Sequence, residues 1–439
     1  MQLTGLDTSA VARALGQIAE REDDLADAFF ERREEIELAL AGKGAGVRVV
    51  REEGLAARLV RGGRTWLASR DTLDGRALSE ALRQVARAQP RAALPEPALG
   101  APPWEAAQQA ASELAAFGRA VERAIHTHHA AFPLRLTVRR HRRAVQVVSP
   151  RLVPAPEWEE FWSLAAELPW GRHGTLLGSL GRDAAERVAG ALVGRFRARD
   201  AAPPATQRAA VVLGPGAAAV LLHEAVAHAL EADVLAQGGS PAAAIGVRLG
   251  PENLHVLDDP TAGPAGVRRA TDDEGVPVLR RWLLRGGAVA QPLADSLWAQ
   301  GSAALAPGAA RRGSRHLPPT PRSSHLELLA GEHGERELFA GAEGGFFLPE
   351  AARGRLDPAT GAFTLRLPFG QRVRGAEPAE PVGPCTLQGS LGDLLRQVRG
   401  IGREARAAGA GWCAKGGQKL PVWATTPALL LAEVEIGPW

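Results

Sequence analysis

The sequence predicts an α+β protein: an N-terminal mixed α/β domain over residues 1–200, then a β-rich C-terminal domain over 201–439 that opens on a histidine-bearing helix. Three observations carry this. Helical and strand-like runs are interspersed before residue 200. Ala201-Ala202-Pro203-Pro204-Ala205 is a composition break of the kind that separates domains. After residue 250 the apolar runs are short and broken by Gly and Pro, as in all-β folds. At 439 residues the chain is long enough for two or three domains with sizeable cores.

The elements follow in order. Val11, Leu15 and Ile18 give helical spacing over Thr8–Arg21. Asp27–Arg33 suits a helix end or a strand, and Ile36, Leu38 and Leu40 alternate as in a strand. Gly46–Val50, Leu55–Val60 and Arg64–Ser69 read as a meander, with turns at Glu53-Gly54 and Gly62-Gly63. Arg76–Ala88 is amphipathic, with Leu78, Leu82, Val85 and Ala86 on one side. Leu94–Pro103 is a proline-rich connector, Trp104–Ala131 a helix, and Asp183–Arg197 another. Leu134–Val138 and Ala144–Val148 are expected to form a hairpin around the run Arg139–Arg143. In the second half, strand Ala209–Leu213 precedes a helix started by Gly214-Pro215-Gly216. Val276–Leu279, Trp282–Leu284, Ala362–Leu367 and Leu429–Ile436 are strand candidates, and Gly331–Gly345 a loop.

Hydrophobic content of 45%, charged content of 23% and a net charge of +3 fit a globular chain and argue against a nucleic-acid-binding protein. Arg139–Arg143 and Arg311–Arg315 lack aromatic interleaving, so they are expected as exposed hairpin and loop charges. Lysine occurs only at 43, 415 and 419, and tyrosine is absent. Two cysteines, Cys385 and Cys413, make no disulfide framework. Cys385 is expected in the core. Met1–Asp7 has no basic region or long apolar core, so no signal peptide is expected and the protein reads as cytoplasmic. His126–His129 reads as a solvated helix end.

The chemistry concentrates in His223-Glu224-Ala225-Val226-Ala227-His228, with Glu231 and Asp233 just beyond. Two imidazoles and a carboxylate are the raw material of a zinc hydrolase: two ligands and a general base. The histidines are five apart rather than four. On an ideal helix that separates them by roughly 140°, so both reach one metal only where the helix is unwound, bulged or ending. A third ligand is needed. Glu231 lies three residues beyond His228, Asp233 is near, and Cys413 stands in Gly411-Trp412-Cys413-Ala414-Lys415-Gly416-Gly417-Gln418, where Lys415 would favour an ionised sulfur. Spacing alone does not choose among them.

Four ordered segments resemble the TldD/PmbA family of metallopeptidases, in its metal-binding TldD-type subunit. His223–Asp233 resembles the family's HEAVGHGLEGD, and Asp272-Asp273-Glu274-Gly275-Val276-Pro277 its DDEGTP. Ser314 with Pro319-Thr320-Pro321-Arg322 resembles SxxxxPMPR, and Cys413–Val422 resembles CGKxGQxxPV. The resemblance implies that residues 201–439 form the metallopeptidase domain. It also implies Zn2+ held by His223, His228 and Cys413, with Glu224 as general base. Arg322 is a candidate substrate-binding residue that could orient a peptide carbonyl or carboxylate, with a structural salt bridge as the alternative. The resemblance further implies cleavage of unfolded or leader-type peptides, bound as an added β-strand in a dimeric chamber made with a related TldE/PmbA-type subunit or a second copy. The alternative is a non-hydrolytic peptide-binding or scaffolding subunit of such a complex. Ala227, Ala229 and Ala232 replace family glycines, which favours a helical turn without positive φ. Pro321-Arg322-Ser323-Ser324-His325 replaces PRMTN, and Ala414 replaces the glycine after the cysteine.

Overall fold

The computed structural model describes residues 7–41, 44–86, 104, 106–128, 132–239, 243–357 and 359–439. Leu94–Pro103 and His129 lie outside them. The architecture is α+β.

The first half is one antiparallel sheet with helices against it. Helix α1 (Thr8–Ile18) starts where the Asp7 carboxylate accepts the Ala10 amide at 2.9 Å. It leads into β1 (Leu25–Ala41), β2 (Gly44–Arg61), β3 (Arg64–Arg70) and α2 (Gly75–Ala86). Then come α3 (Gln108–Thr127), β4 (Arg135–Val148), β5 (Glu157–Leu168), β6 (Gly171–Leu177) and α4 (Arg182–Arg197). The strand order is β3-β2-β1-β4-β5-β6. Helices α1 and α2 bury Leu15, Leu78 and Leu82 against Phe30, Leu55 and Leu59. Helices α3 and α4 bury Leu114, Val121 and Leu192 against Leu38, Leu136 and Leu164.

Here the strands are longer than expected. No turn occurs at Glu53-Gly54: β2 runs straight through it, and Gly54 is there because a Cβ would collide with Arg70 and with the Arg315 guanidinium crossing the strand. Arg139–Arg143 is not the tip of a hairpin but the middle of β4. Glu34 and Glu37 of β1 stand opposite Arg142 and Arg139, and β5 supplies Glu159 and Glu160 on the other side. Cross-strand ion pairs let this run continue as a strand. The expectation of exposed charges fails for Arg143, Arg311, Arg312 and Arg315, all buried.

The second half begins with β7 (Gln207–Leu213) and α5 (Pro215–Leu221). Its remaining strands are β8 (Val256–Asp258), β9 (Arg281–Arg285), β10 (Ala288–Val289), β11 (Ala310–Arg311), β12 (Thr320–Pro321), β13 (His325–Leu328), β14 (Phe346–Leu348), β15 (Arg353–Leu356) and β16 (Ala362–Leu367). They continue with β17 (Gly370–Arg374), β18 (Glu377–Val382), β19 (Cys385–Ser390), β20 (Val398–Ile401), β21 (Arg406–Lys415), β22 (Gln418–Thr426) and β23 (Leu429–Pro438). One sheet has the order β10-β9-β8-β13-β22-β21, with β13 and β22 parallel. The other is β15-β16-β19-β23-β7-β14-β17-β18, with β20 beside β23, and β11 pairs with β12 alone. Helix α5 touches β7, β15 and β16 of one sheet and β21 and β22 of the other, so it lies between them. Cys385 is a core residue, fully buried on β19. Val276–Leu279 forms only an isolated bridge, Thr271 with Pro277, and a short helix, Glu335–Ala340, sits inside the expected Gly331–Gly345 loop. Among the described residues no helix is long and apolar enough to cross a membrane.

The two halves meet through buried charge. Arg58 of β2 bonds Asp27 at 2.5 Å and Glu274 at 2.6 Å, Arg143 of β4 pairs with Asp273 at 3.6 Å and donates to the Arg312 carbonyl at 3.1 Å, and Arg312 bonds Asp27 at 3.0 Å. Asp273 accepts from Arg269 and from the Arg312 amide, and the opposed guanidinium charges hold its carboxyl far below the usual range despite burial. The Asp272–Pro277 segment is therefore part of the joint between the halves rather than of the histidine cluster.

Candidate metal centre

The histidine helix starts abruptly because the chain leaves β7 through Gly214, whose missing Cβ leaves room for the Pro349 backbone 2.9 Å away, and Pro215 opens the first turn. Seven residues later the helix changes pitch. Leu222–Ala227 is a π-helical turn, in which the His228 amide donates to the His223 carbonyl five residues back. That bond resolves the spacing problem, because a wider turn restores to one face residues that an α-helix would separate. The two imidazoles meet edge to face with centroids 4.5 Å apart. The alanines at 227, 229 and 232 cause no strain: the only positive-φ residue other than glycine in the described chain is Ala376. A 3-10 turn, His228–Leu230, follows, and Glu231 is extended at φ −74, ψ 128.

The third component arrives on the hairpin of β21 and β22, closed by Gly416 and Gly417 at φ 57 and 74. Strand alternation turns both Cys413 and Lys415 to the helix. Cys413 Sγ lies 3.1 Å from His228 Nε2, and one nitrogen of each histidine and the sulfur all fall within 4.8 Å of one another. His223 is 2% exposed; its Nδ1 is 3.3 Å from Ser323 Oγ, and its Nε2 is buried with no hydrogen-bond partner. His228 Nδ1 faces Glu231 Oε2 at 3.0 Å, so its Nε2 is left for the cluster. Lys415 Nζ reaches Glu231 at 2.6 Å and Asp233 at 2.7 Å. The expectation that Lys415 stabilises the sulfur directly is thus corrected, since its ammonium is held by two carboxylates. The cation on the sulfur is Arg322, whose Nη2 donates to Cys413 Sγ at 3.1 Å and to the Cys413 carbonyl at 3.2 Å, while Nη1 reaches the Lys415 carbonyl at 3.4 Å. Its side chain is 1% exposed.

The electrostatics follow from this packing. Burial and the neighbouring imidazole hold His223 well below its ordinary pKa. Burial pulls His228 the same way, but the Glu231 carboxylate and the Cys413 sulfur outweigh it and raise the ring well above normal. Burial opposes ionisation of Glu231, yet His228, Lys415 and Arg322 bring its carboxyl down to about 2. Glu224 is half-buried, and burial raises its carboxyl above the usual range. Its side chain lies over Gly354 of the edge strand β15, where an added Cβ would overlap Glu224 Cγ and sit 3.0 Å from its Cβ.

The sequence pointed to no role for Ser323 or Gly354, and it did not pair Lys415 with Glu231 and Asp233. The signal for Lys415 was present in the scarcity of lysine and in its place two residues after Cys413. Ser323-Ser324-His325 is buried: the Ser324 and His325 amides bond Asp258 at 2.8 and 3.0 Å.

Two imidazoles and a sulfur around one point, with a carboxylate on the adjoining residue, is a donor set used by catalytic zinc sites. The chain belongs to the PmbA/TldD family of metallopeptidases: the model of the PmbA/TldA metallopeptidase C-terminal domain matches residues 206–438. A metalloprotease of Methanothermobacter thermautotrophicus is 31% identical over 238 residues, which is 54% of this chain and 52% of that protein. A metalloprotease TldD homolog of Haemophilus influenzae is 30% identical over 229 residues, 52% of this chain and 48% of the relative. The chain thus spans about half the length of the curated relatives it matches. In fold the likeness extends along the whole chain: the crystal structure of TldE from Thermococcus kodakarensis aligns with a TM-score of 0.75 at 18% identity, covering 98% of this chain and 100% of that one.

Proposed function

We propose that this chain is a zinc-dependent peptidase. His223 Nε2, His228 Nε2 and Cys413 Sγ would hold the ion, and Glu224 is the general base. The observation that carries the reading is the π turn, which aims two histidines five apart at a sulfur on a distant hairpin. The donors fit the group. Two borderline nitrogens and a thiolate suit zinc, the buried Nε2 of His223 lacks a hydrogen-bond partner, and the three donors lie within 4.8 Å of one another. Zinc bound there would polarise the scissile carbonyl and acidify a water.

The protein's own groups do the rest. Glu224, beside His223 and lifted in pKa by burial, takes a proton from the attacking water on its carboxylate and returns one to the leaving amine. Arg322 holds the Cys413 strand from behind. Strand β15 is a sheet edge beside Glu224, which supports substrate binding as an added strand read through its backbone. Unfolded or leader-type peptides suit that mode because their backbone is free. The TldD name of relatives and the TldE fold neighbour support assembly with a related subunit or a second copy around the site. Glu224→Gln tests the reading: bound zinc stays near one per chain while peptide hydrolysis is lost. Hydrolysis at the wild-type rate in that variant would remove the general-base assignment.

A further inference from the structure

We propose that Lys415 and Glu231 are positioning residues for the metal centre: Lys415 clamps the Glu231 carboxylate, and that carboxylate aims the His228 ring. The inference rests on the metallopeptidase reading and extends it to two side chains that would touch neither metal nor substrate.

The helix and the hairpin meet in two rungs. Cys413 and Lys415 are two apart on β21 and share a face; His228 and Glu231 are three apart and share a turn. The first rung is Cys413 Sγ to His228 Nε2 at 3.1 Å, and the second is Lys415 Nζ to Glu231 Oε2 at 2.6 Å. The rungs are joined across the helix by His228 Nδ1 to Glu231 Oε2 at 3.0 Å. A single carboxylate oxygen therefore receives both the ring N–H of one ligand residue and the ammonium delivered by the strand of another. A histidine whose Nδ1–H is fixed in this way presents Nε2 in one direction.

Glu231 as a further ligand is the competing assignment. Its oxygens do not belong to the group of donor atoms that gathers within 4.8 Å, and the oxygen nearest the ring is already shared between His228 and Lys415. A fully buried carboxylate without a cation would be costly, and Lys415 is the cation that reaches it. Asp233 takes the same ammonium at 2.7 Å, which fixes Lys415 from a second side. The residue type supports the role. In a chain that uses arginine for all but three of its 52 basic residues, this position holds a lysine. A compact ammonium satisfies two carboxylates at one point, where a planar guanidinium would spread its donors.

The experiment is zinc affinity by chelator competition on the full chain, for wild type, Lys415→Met, Glu231→Gln and the double variant. Cobalt(II) absorption is recorded on each. The expected result is a 10–100-fold loss of affinity in each single variant. The double variant loses much less than the product of the two, and the sulfur-to-cobalt band is retained throughout. Singles within twofold of wild type, or fully multiplicative losses, would overturn the clamp. A changed cobalt spectrum in Glu231→Gln alone, with Lys415→Met silent, would make Glu231 a ligand and overturn it too. Absence of metal from the wild type is a different failure, and falls on the peptidase reading itself.

Discussion

Gly354 offers a perturbation whose size can be worked from distances. Its missing Cβ is the space in which the Glu224 side chain lies: a methyl placed there would overlap Cγ and stand 3.0 Å from Cβ and 3.2 Å from Cδ. Carbon pairs settle at about 3.5–4.0 Å, so Gly354→Ala must push the Glu224 chain aside by about 1 Å. Rotation about χ1 and χ2 is the cheap way to do this, and it carries the carboxylate off its proton-transfer position. A displacement of about 1 Å costs roughly 100-fold in rate, or ~2.7 kcal/mol of barrier. The three atoms nearest the added methyl all belong to Glu224, so the metal donors are expected to keep their places. The assay is kcat/KM on an unstructured peptide, beside zinc stoichiometry and thermal unfolding of the same preparation. We expect near-wild-type zinc, little change in Tm and about two decades lost in kcat. A Gly354→Ala enzyme within threefold of wild type would refute the argument that Glu224 works from this position.

Three further outcomes follow from buried groups. Arg322→Met leaves the Cys413 and Lys415 carbonyls without their guanidinium donor; urea unfolding should show a loss of about 2–4 kcal/mol. Arg58→Met leaves Glu274 without its cation in the joint between the halves and Asp27 with Arg312 alone, and a loss of about 3–5 kcal/mol is expected by the same measurement. His173 is buried, and burial, then the nearby Arg195, pushes its pKa down to about 3. Its unfolded value is near 6.5, so between pH 6.5 and 3 the unfolded chain binds the extra proton. The stability of the neutral ring is therefore fully present above pH 6.5 and drains away as pH falls toward 3. Replacement by Gln should flatten the stability curve in that window, and an unchanged slope would contradict the burial argument.

What the sequence disclosed is tied to local patterns. The His223–His228 spacing already required a bulged or ending helix, and the π turn at Leu222–Ala227 meets that requirement. Alternating and short apolar runs disclosed β9, β16 and β23. What stayed hidden depends on partners distant in sequence. Arg139–Arg143 looks exposed until β1 and β5 bring Glu34, Glu37, Glu159 and Glu160 alongside. Glu53-Gly54 looks like a turn until Arg315 is seen to need the space. Lys415 looks like a thiolate partner, yet Glu231 and Asp233, close in space and far in sequence, claim it. Charge pairing and close approach are non-local, and no periodicity encodes them.

His228 and Cys413, 185 residues apart in sequence, stand together in one candidate metal centre. Bound-metal stoichiometry by elemental mass spectrometry, on wild type beside Cys413→Ser, tests that centre most directly. Close to one zinc per chain is expected in the wild type, and its loss in the folded serine variant. Zinc retained in full by Cys413→Ser, or absent from freshly purified wild type, would contradict it.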